Sequence, residues 1–61
     1  MEIEYVISYK DNNKDDDIFD NKKDADTLFI KTNKKKIHQY YKKEWIFIDG
    51  YYQEGDVKVY Y

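Results

Sequence analysis

His38 is the only histidine of the chain and the first candidate for a general base. A catalytic histidine works with a nucleophile or an orienting acid, and its immediate neighbours in the sequence include no Ser, Cys, Asp or Glu. The absence of cysteine excludes disulfides and thiolate metal sites, and a zinc site based on one histidine would need two chains. We therefore predict a packed or surface histidine, and a non-catalytic protein with no metal and no cofactor.

Carboxylates are concentrated in one stretch, residues 10–26, which we predict to be an acidic loop and call the acidic segment. Residues 11–26 contain seven Asp and three Lys, a net charge of −4 (3 − 7). Asp and Asn favour turns because their side chains bond nearby backbone groups. A run of this kind could bind magnesium or perform acid–base catalysis, but it is more typical of a solvated loop.

Part of the acidic segment follows the spacing of a calcium-binding EF-hand loop. Asp11, Asn13, Asp15 and Asp17 occupy alternate ligand positions of that pattern. Two requirements fail, because Asp16 replaces the glycine of the sharp turn and a lysine replaces the bidentate glutamate. The segment before it also alternates like a strand, so we favour a solvated loop over a calcium site.

Lysine clusters beside aromatic residues suggest single-stranded nucleic acid as a ligand. The clusters are Lys34–Lys36 and Lys42–Lys43, and all eleven basic residues of the chain are lysine. The net charge is nevertheless −2, and lysines at turns and sheet edges commonly prevent aggregation. We predict that nucleic acid is an unlikely partner and keep weak binding to single strands as an alternative.

Aromatic residues exceed what a core of this size needs: the chain has eight Tyr, three Phe and one Trp among 61 residues. Tyr and Trp are frequent hot-spot residues at protein interfaces. The acidic segment could also bind a partner, because its carboxylates could imitate nucleic-acid phosphates and occupy a positively charged groove. The predicted partner-binding residues are Tyr40, Trp45, Phe47, Tyr51, Tyr52, Asp15, Asp16, Asp17 and Asp20.

The hydrophobic pattern predicts one small all-β domain spanning residues 1–61. Ile3–Tyr9 alternates with the period of a half-buried strand. We expect an antiparallel meander sheet or a partly open barrel of four to five strands. The further predicted strands are 27–32, 36–41, 45–48 and 57–61, with turns at 33–35, at Asp49-Gly50 and at 53–56.

The central prediction is a β-hairpin over residues 36–48, with its turn at Lys42–Lys43. In the favoured register Tyr40 pairs with Trp45 and His38 pairs with Phe47, which places these four residues on one face. A helix over residues 34–44, capped by Asn33, is the alternative and would make the fold α+β. Three consecutive lysines at the positive end of that helix argue against it.

Residues 28–45 resemble an aromatic hairpin motif of bacteriophage tail and fibre proteins. The similarity lies in Leu-Phe-Ile-Lys-Thr-Asn, followed by Lys-Ile-His-Gln-Tyr and then Trp45. It departs from the motif where His38 replaces a tyrosine and where the turn before Trp45 has no glycine. The resemblance implies a structural or receptor-contacting hairpin in which Tyr40 and Trp45 form a cross-strand aromatic pair.

These observations favour a protein-binding module over an enzyme. The preference for Lys, Asn, Asp, Ile and Tyr is typical of AT-rich coding sequences, such as those of bacteriophages and low-GC bacteria. We therefore expect a phage accessory protein that inhibits a host or defence protein. The alternative is a structural protein that forms homo-oligomers through the edge strand 57–61. Glu2 and Glu4 are atypical of a signal peptide and no long apolar run occurs, so we expect cytoplasmic localisation without membrane insertion.

Overall fold

The computed structural model describes residues 1–61. The protein consists of a four-stranded antiparallel sheet with one short helix on one of its faces. The predicted small antiparallel sheet is thus confirmed. In chain order the elements are β1 (Glu2–Tyr9), β2 (Asp17–Phe19), α1 (Lys22–Lys31), a single 3₁₀ turn (Lys34–Lys36), β3 (Ile37–Ile48) and β4 (Tyr51–Val59).

The strand order along the sheet is β2-β1-β3-β4, so β1 and β3 are central and β2 and β4 are the edges. The order differs from the predicted meander because the chain leaves β2, forms α1 and enters β3 on the other side of β1. The strand predicted over residues 3–9 is confirmed. Its alternation places Ile7 in the core, with Tyr5 and Tyr9 packed against the core from the same face.

The helix α1 replaces the strand that we predicted over residues 27–32. Asn21 caps it, because its side-chain oxygen accepts a hydrogen bond from the backbone N–H of Asp24 at 2.9 Å. Ala25 is fully buried against the sheet, and Leu28 and Phe29 pack beside it. The strand prediction was wrong because helical spacing lets these three apolar residues reach one core, which outweighs the strand preference of residues 27–32.

The strand β3 runs without interruption through Lys42 and Lys43, where we predicted a turn. Its middle is paired on both sides, with Lys43 opposite Glu4 of β1 and Val57 of β4. The Lys43 ammonium donates a hydrogen bond to a Glu54 carboxylate oxygen at 3.1 Å. Lys43 therefore continues a strand here, because carboxylates on both neighbouring strands offset its charge. The predicted hairpin over residues 36–48 is wrong.

A β-bulge near the start of β3 changes which residues face the helix. Tyr9 pairs with Ile37 while Ser8 pairs with Gln39, so His38 is the extra, exposed residue. Ile37 and Tyr40 consequently share the buried face although they are three residues apart. Tyr40 and Trp45 lie on one strand and on opposite faces of it, so the cross-strand pair implied by the phage hairpin resemblance does not form.

The predicted turn at Asp49-Gly50 is confirmed and joins β3 to β4. Both residues have positive φ, 53° for Asp49 and 88° for Gly50, as a tight turn between right-twisted strands requires. The turn predicted at residues 53–56 is wrong, since these residues continue β4. A register shift between Lys43 and Trp45 gives β4 an extra residue at this point.

Replacing Gly50 with alanine is expected to destabilise the protein by about 1 kcal/mol, because a Cβ is disfavoured at positive φ. No atom lies within 4 Å of the added Cβ, so the cost is one of backbone conformation alone. Thermal unfolding followed by circular dichroism measures it. Asp49→Asn is the control, because Asn tolerates positive φ and should leave the melting temperature unchanged. An equal loss in both variants would contradict this explanation.

Candidate partner-binding surface

The helix covers one face of the sheet and leaves the other without a covering element. The pairing of the strands shows which residues lie on this helix-free face, because paired residues point to the same side of a sheet. One row of paired residues crosses all four strands and consists of Ile18, Val6, Tyr41 and Val59. A second row joins Glu4, Lys43 and Val57, and a third joins Glu2, Trp45 and Glu54. The helix-free face is therefore an aliphatic and aromatic strip with three carboxylates and one lysine.

The hairpin of β3 and β4 extends beyond the rest of the sheet. The pairing of β1 with β3 stops at Glu2 and Trp45, so everything nearer the Asp49-Gly50 turn belongs to a two-stranded ribbon. Phe47 and Tyr52 pair on the helix-free side of this ribbon, with ring centroids 5.1 Å apart in an edge-on arrangement. Their exposed fractions are 58% and 51%, which makes them the most accessible aromatic pair of this face.

Two polar contacts hold the helix-free side of the ribbon in place. The Tyr52 hydroxyl donates a hydrogen bond to a Glu2 carboxylate oxygen at 3.1 Å. That bond raises the pKa of Tyr52, because the carboxylate stabilises the protonated hydroxyl. The Lys43 ammonium lies 5.1 Å from the centre of the Trp45 ring and binds Glu54, and this bond raises the pKa of Lys43.

Trp45 carries an unsatisfied donor in the middle of the same surface. Its ring is half-buried, and its indole N–H is buried without a hydrogen-bond partner. A buried donor with no acceptor is unfavourable by about 1–3 kcal/mol. A partner that supplies an acceptor and moves the surrounding side chains slightly would recover this free energy on binding.

Two of the predicted aromatic residues lie outside the helix-free face. Tyr51 is exposed on the opposite side of the ribbon, where it pairs with Ile48. Tyr40 is only 2% exposed and belongs to the core, so its ring is not part of the exposed surface. The other aromatic residues of that set (Trp45, Phe47 and Tyr52) share the helix-free face.

The predicted acidic residues are divided between the two ends of the edge strand β2. Asp15 and Asp16 are exposed between β1 and β2, and Asp17 belongs to β2, where it accepts a hydrogen bond from the Tyr9 hydroxyl. Asp20 is exposed and accepts a hydrogen bond from Asn21. The first three adjoin the end of β1 opposite Glu2, whereas Asp20 follows the other end of β2 and lines a depression with Glu2 and Glu4. The fold therefore does not join the carboxylates and the exposed rings into one surface.

The acidic segment is also more ordered than the predicted loop. It includes β2 and the first turn of α1, and the residues matched to the EF-hand pattern lie in the turn after β1 and at the start of β2. The Asp11 carboxylate accepts the backbone N–H of Asn13 at 2.9 Å, which forms a local turn. The structure contains no group of three or more His, Cys, Asp or Glu placed to hold a metal ion.

Several residues of the helix-free face were missed by the sequence prediction. They are the aliphatic side chains beside the rings: Ile18, Val57 and Val59, each more than half exposed. The alternation of β1 signalled that Val6 lies opposite the core, and the same alternation near the end of the chain signalled Val57 and Val59. Ile18 lacked such a signal because β2 has only three residues.

Two buried hydroxyl–carboxylate bonds predict a loss of stability at alkaline pH. Burial and the bond to Asp17 raise the pKa of Tyr9 from 10.0 to about 12, and burial and Asp26 raise that of Tyr40 further. Because the folded-state pKa values are raised, the stabilisation is complete below about pH 10 and declines as the pH rises toward 12. Urea unfolding across this range measures the decline.

The matched variant for this pH dependence is Tyr9→Phe, which keeps the ring and removes one titrating group. We expect the free energy of unfolding to fall less steeply with pH in this variant than in the parent protein. Equal slopes would show that the Tyr9–Asp17 bond does not contribute.

Comparisons with known proteins leave the site to be interpreted from its geometry. No protein-family model, curated protein or solved structure matches this chain. Neither of its helical segments is long and apolar enough to cross a membrane.

Proposed function

We propose that the protein is a non-catalytic binding module that docks onto another protein through its helix-free face. The observation that carries the proposal is the exposed apolar strip of this face, whose most accessible rings are Phe47 and Tyr52. Large exposed apolar patches on small domains mark interaction sites, and aromatic residues dominate the binding energy of protein interfaces.

The charges of the helix-free face indicate the chemistry of its partner. Glu2, Glu4 and Glu54 stand beside the strip, and Lys43 is the only positive side chain among them. The partner surface that fits is an apolar groove bordered by lysine or arginine, since complementary charge speeds association and selects the register. A ribbon with two exposed rings suits insertion into such a groove.

Inhibition is the role that we propose for this binding. A projecting aromatic ribbon is suited to block a groove on a larger protein. Its AT-rich coding bias supports a phage accessory protein that acts on a host or defence protein in the host cytoplasm. Asp15, Asp16 and Asp17 would belong to a second contact or to none, because they lie at the end of β2 far from Glu2.

The proposal is tested by photo-crosslinking from defined positions in a lysate of a low-GC bacterium. A crosslinking residue replaces Phe47 in one protein and Ile30 in another, since Ile30 is 76% exposed on the helix. We expect one band that appears only from position 47, and the purified partner should bind the unmodified protein with saturation. Identical bands from both positions, or none from position 47, would refute docking through this face.

Self-association through β4 is a second candidate, supported by one specific observation. β4 spans nine residues at the edge of the sheet, contains no proline and has no strand on its outer side. An open edge of this kind adds a strand from another chain. Beyond Val59 the chain stays bound to β3, because the Tyr60 N–H donates to the Tyr40 carbonyl at 2.8 Å.

Sedimentation equilibrium separates the two candidates. Self-association predicts a molecular mass that rises with concentration and returns to that of the monomer in Val57→Pro, because proline removes a backbone donor and interrupts the edge strand. A strictly monomeric profile at high concentration would rule out this candidate.

A further inference from the structure

A cleft lined by lysines lies at the end of the molecule away from the exposed aromatic ribbon. It encloses about 530 Å³ between the turn that follows β1 and the 3₁₀ turn that precedes β3. This volume is within the range of small-ligand sites, about 300–1,000 Å³. The residues that line it are Tyr9, Lys10, Asp11, Lys14, Thr32, Lys35 and Lys36.

The cleft has a charge opposite to that of the protein. Four lysines and one aspartate line it, a formal net charge of +3 (4 − 1), whereas the whole chain carries −2. Neither salt bridge of the protein involves a lysine of the cleft. The Lys14 ammonium lies 4.4 Å from the centre of the Tyr9 ring, which also lines the cleft. The charges of the other three lysines are therefore available to a ligand.

Backbone bonds fix both walls of the cleft before any ligand arrives. The Lys10 N–H donates to the Lys36 carbonyl at 3.0 Å and ties the end of β1 to the 3₁₀ turn. The Asn33 side chain caps that turn by accepting the Lys35 N–H at 3.0 Å. On the other wall the Lys14 N–H donates to the Asp11 carbonyl at 3.1 Å. Ligand binding therefore orders only lysine side chains, which limits its entropic cost.

We propose that this cleft binds a small anion with two or three adjacent phosphates, such as a diphosphate or a nucleotide. Four lysines around one cleft suit closely spaced phosphate oxygens, because each ammonium acts as a mobile point charge. A single carboxylate offers too little charge for a net +3 site. Since the Asp11 side chain already accepts the Asn13 N–H, part of its charge is directed away from the ligand.

A small anion fits this site better than a nucleic-acid strand. Asp16 and Asp17 lie close enough to the lining residue Tyr9 to raise its pKa, and they belong to the most acidic part of the chain. A strand that continued beyond the cleft would bring its phosphates toward these carboxylates and be repelled. A compact polyanion that ends within the cleft avoids this repulsion.

Nuclear magnetic resonance titration with inorganic pyrophosphate at constant ionic strength tests the proposal. We expect saturable shifts centred on the amides of Lys10, Lys14, Lys35 and Lys36. The charge reversal Lys35→Glu/Lys36→Glu should weaken binding by at least about tenfold, since charge-assisted bonds to phosphate are lost. The matched control Lys23→Glu/Lys58→Glu makes the same change of net charge outside the cleft and should stay within about twofold of the parent protein.

Three results would overturn the assignment. Shifts that do not saturate, or that spread evenly over all lysines, would show general screening in place of a site. Equal weakening in the two charge-reversed variants would show that only net charge matters. A single-stranded oligonucleotide that binds more tightly than pyrophosphate, with a steep salt dependence, would assign the cleft to nucleic acid instead.

Discussion

Tyr40→Ala is expected to unfold most of the protein at 25 °C. The Tyr40 ring packs 4.9 Å from Phe29 and 5.0 Å from Tyr60, measured between ring centroids, and its hydroxyl bonds Asp26 at 2.6 Å. Replacing a large buried aromatic residue by alanine costs about 3–5 kcal/mol. The single core of a chain this short rarely supplies more than roughly 3–5 kcal/mol in total, so one side chain decides whether the fold persists.

The conservative variant Tyr40→Phe separates packing from hydrogen bonding. It keeps the ring and removes only the hydroxyl, so we expect a folded protein destabilised by about 1–2 kcal/mol. Far-ultraviolet circular dichroism and amide shift dispersion report whether each variant is folded, and urea unfolding gives the free energy for Tyr40→Phe. A folded Tyr40→Ala with a cooperative transition would contradict the central place of this residue in the core.

Replacing Phe47 and Tyr52 together with threonine is expected to weaken partner binding by at least about 100-fold while the fold survives. The pair is exposed at the end of the ribbon, and its edge-on contact contributes only about 0.5–1.5 kcal/mol to stability. Threonine retains a high preference for strands. Isothermal titration with the partner identified by crosslinking measures the affinity, and circular dichroism verifies the fold.

The opposite side of the same ribbon provides the control for this prediction. Ile48→Thr/Tyr51→Thr removes one aliphatic and one aromatic residue at the same distance from the turn. Because these side chains face away from the helix-free face, affinity should stay within about threefold of the parent protein. Equal losses of affinity in both double variants would mean that the partner contacts both sides of the ribbon, which would contradict docking through the helix-free face alone.

Local patterns in the sequence predicted the parts of the fold that depend on local chemistry. The alternation of β1 and the Asp49-Gly50 turn are both present, because strand period and positive φ are properties of a few adjacent residues. The exposure of Phe47, Tyr51 and Tyr52 also agrees with the surplus of aromatic residues in the sequence.

The errors arose where distant residues decide the structure. Residues 27–32 have a preference for strand, but the Asn21 cap and the burial of Ala25 against the sheet make them helical. Lys42 and Lys43 resemble a turn, but pairing with β1 and β4 on both sides keeps them in a strand, and Glu4 and Glu54 offset the charge of Lys43. The bulge at His38, which moves Tyr40 to the core, depends on how β1 meets β3, and no pattern within β3 indicates it.

The pairing of β1 with β3 also affects how the protein folds during its synthesis. Glu2 lies beside Trp45, so β1 finds its main partner only after β3 has been synthesised. The β1–β2 and β3–β4 pairs close short loops, whereas joining β1 to β3 closes a long one, which slows folding. During synthesis the rings of β1 would therefore remain open to chaperones until β3 emerges.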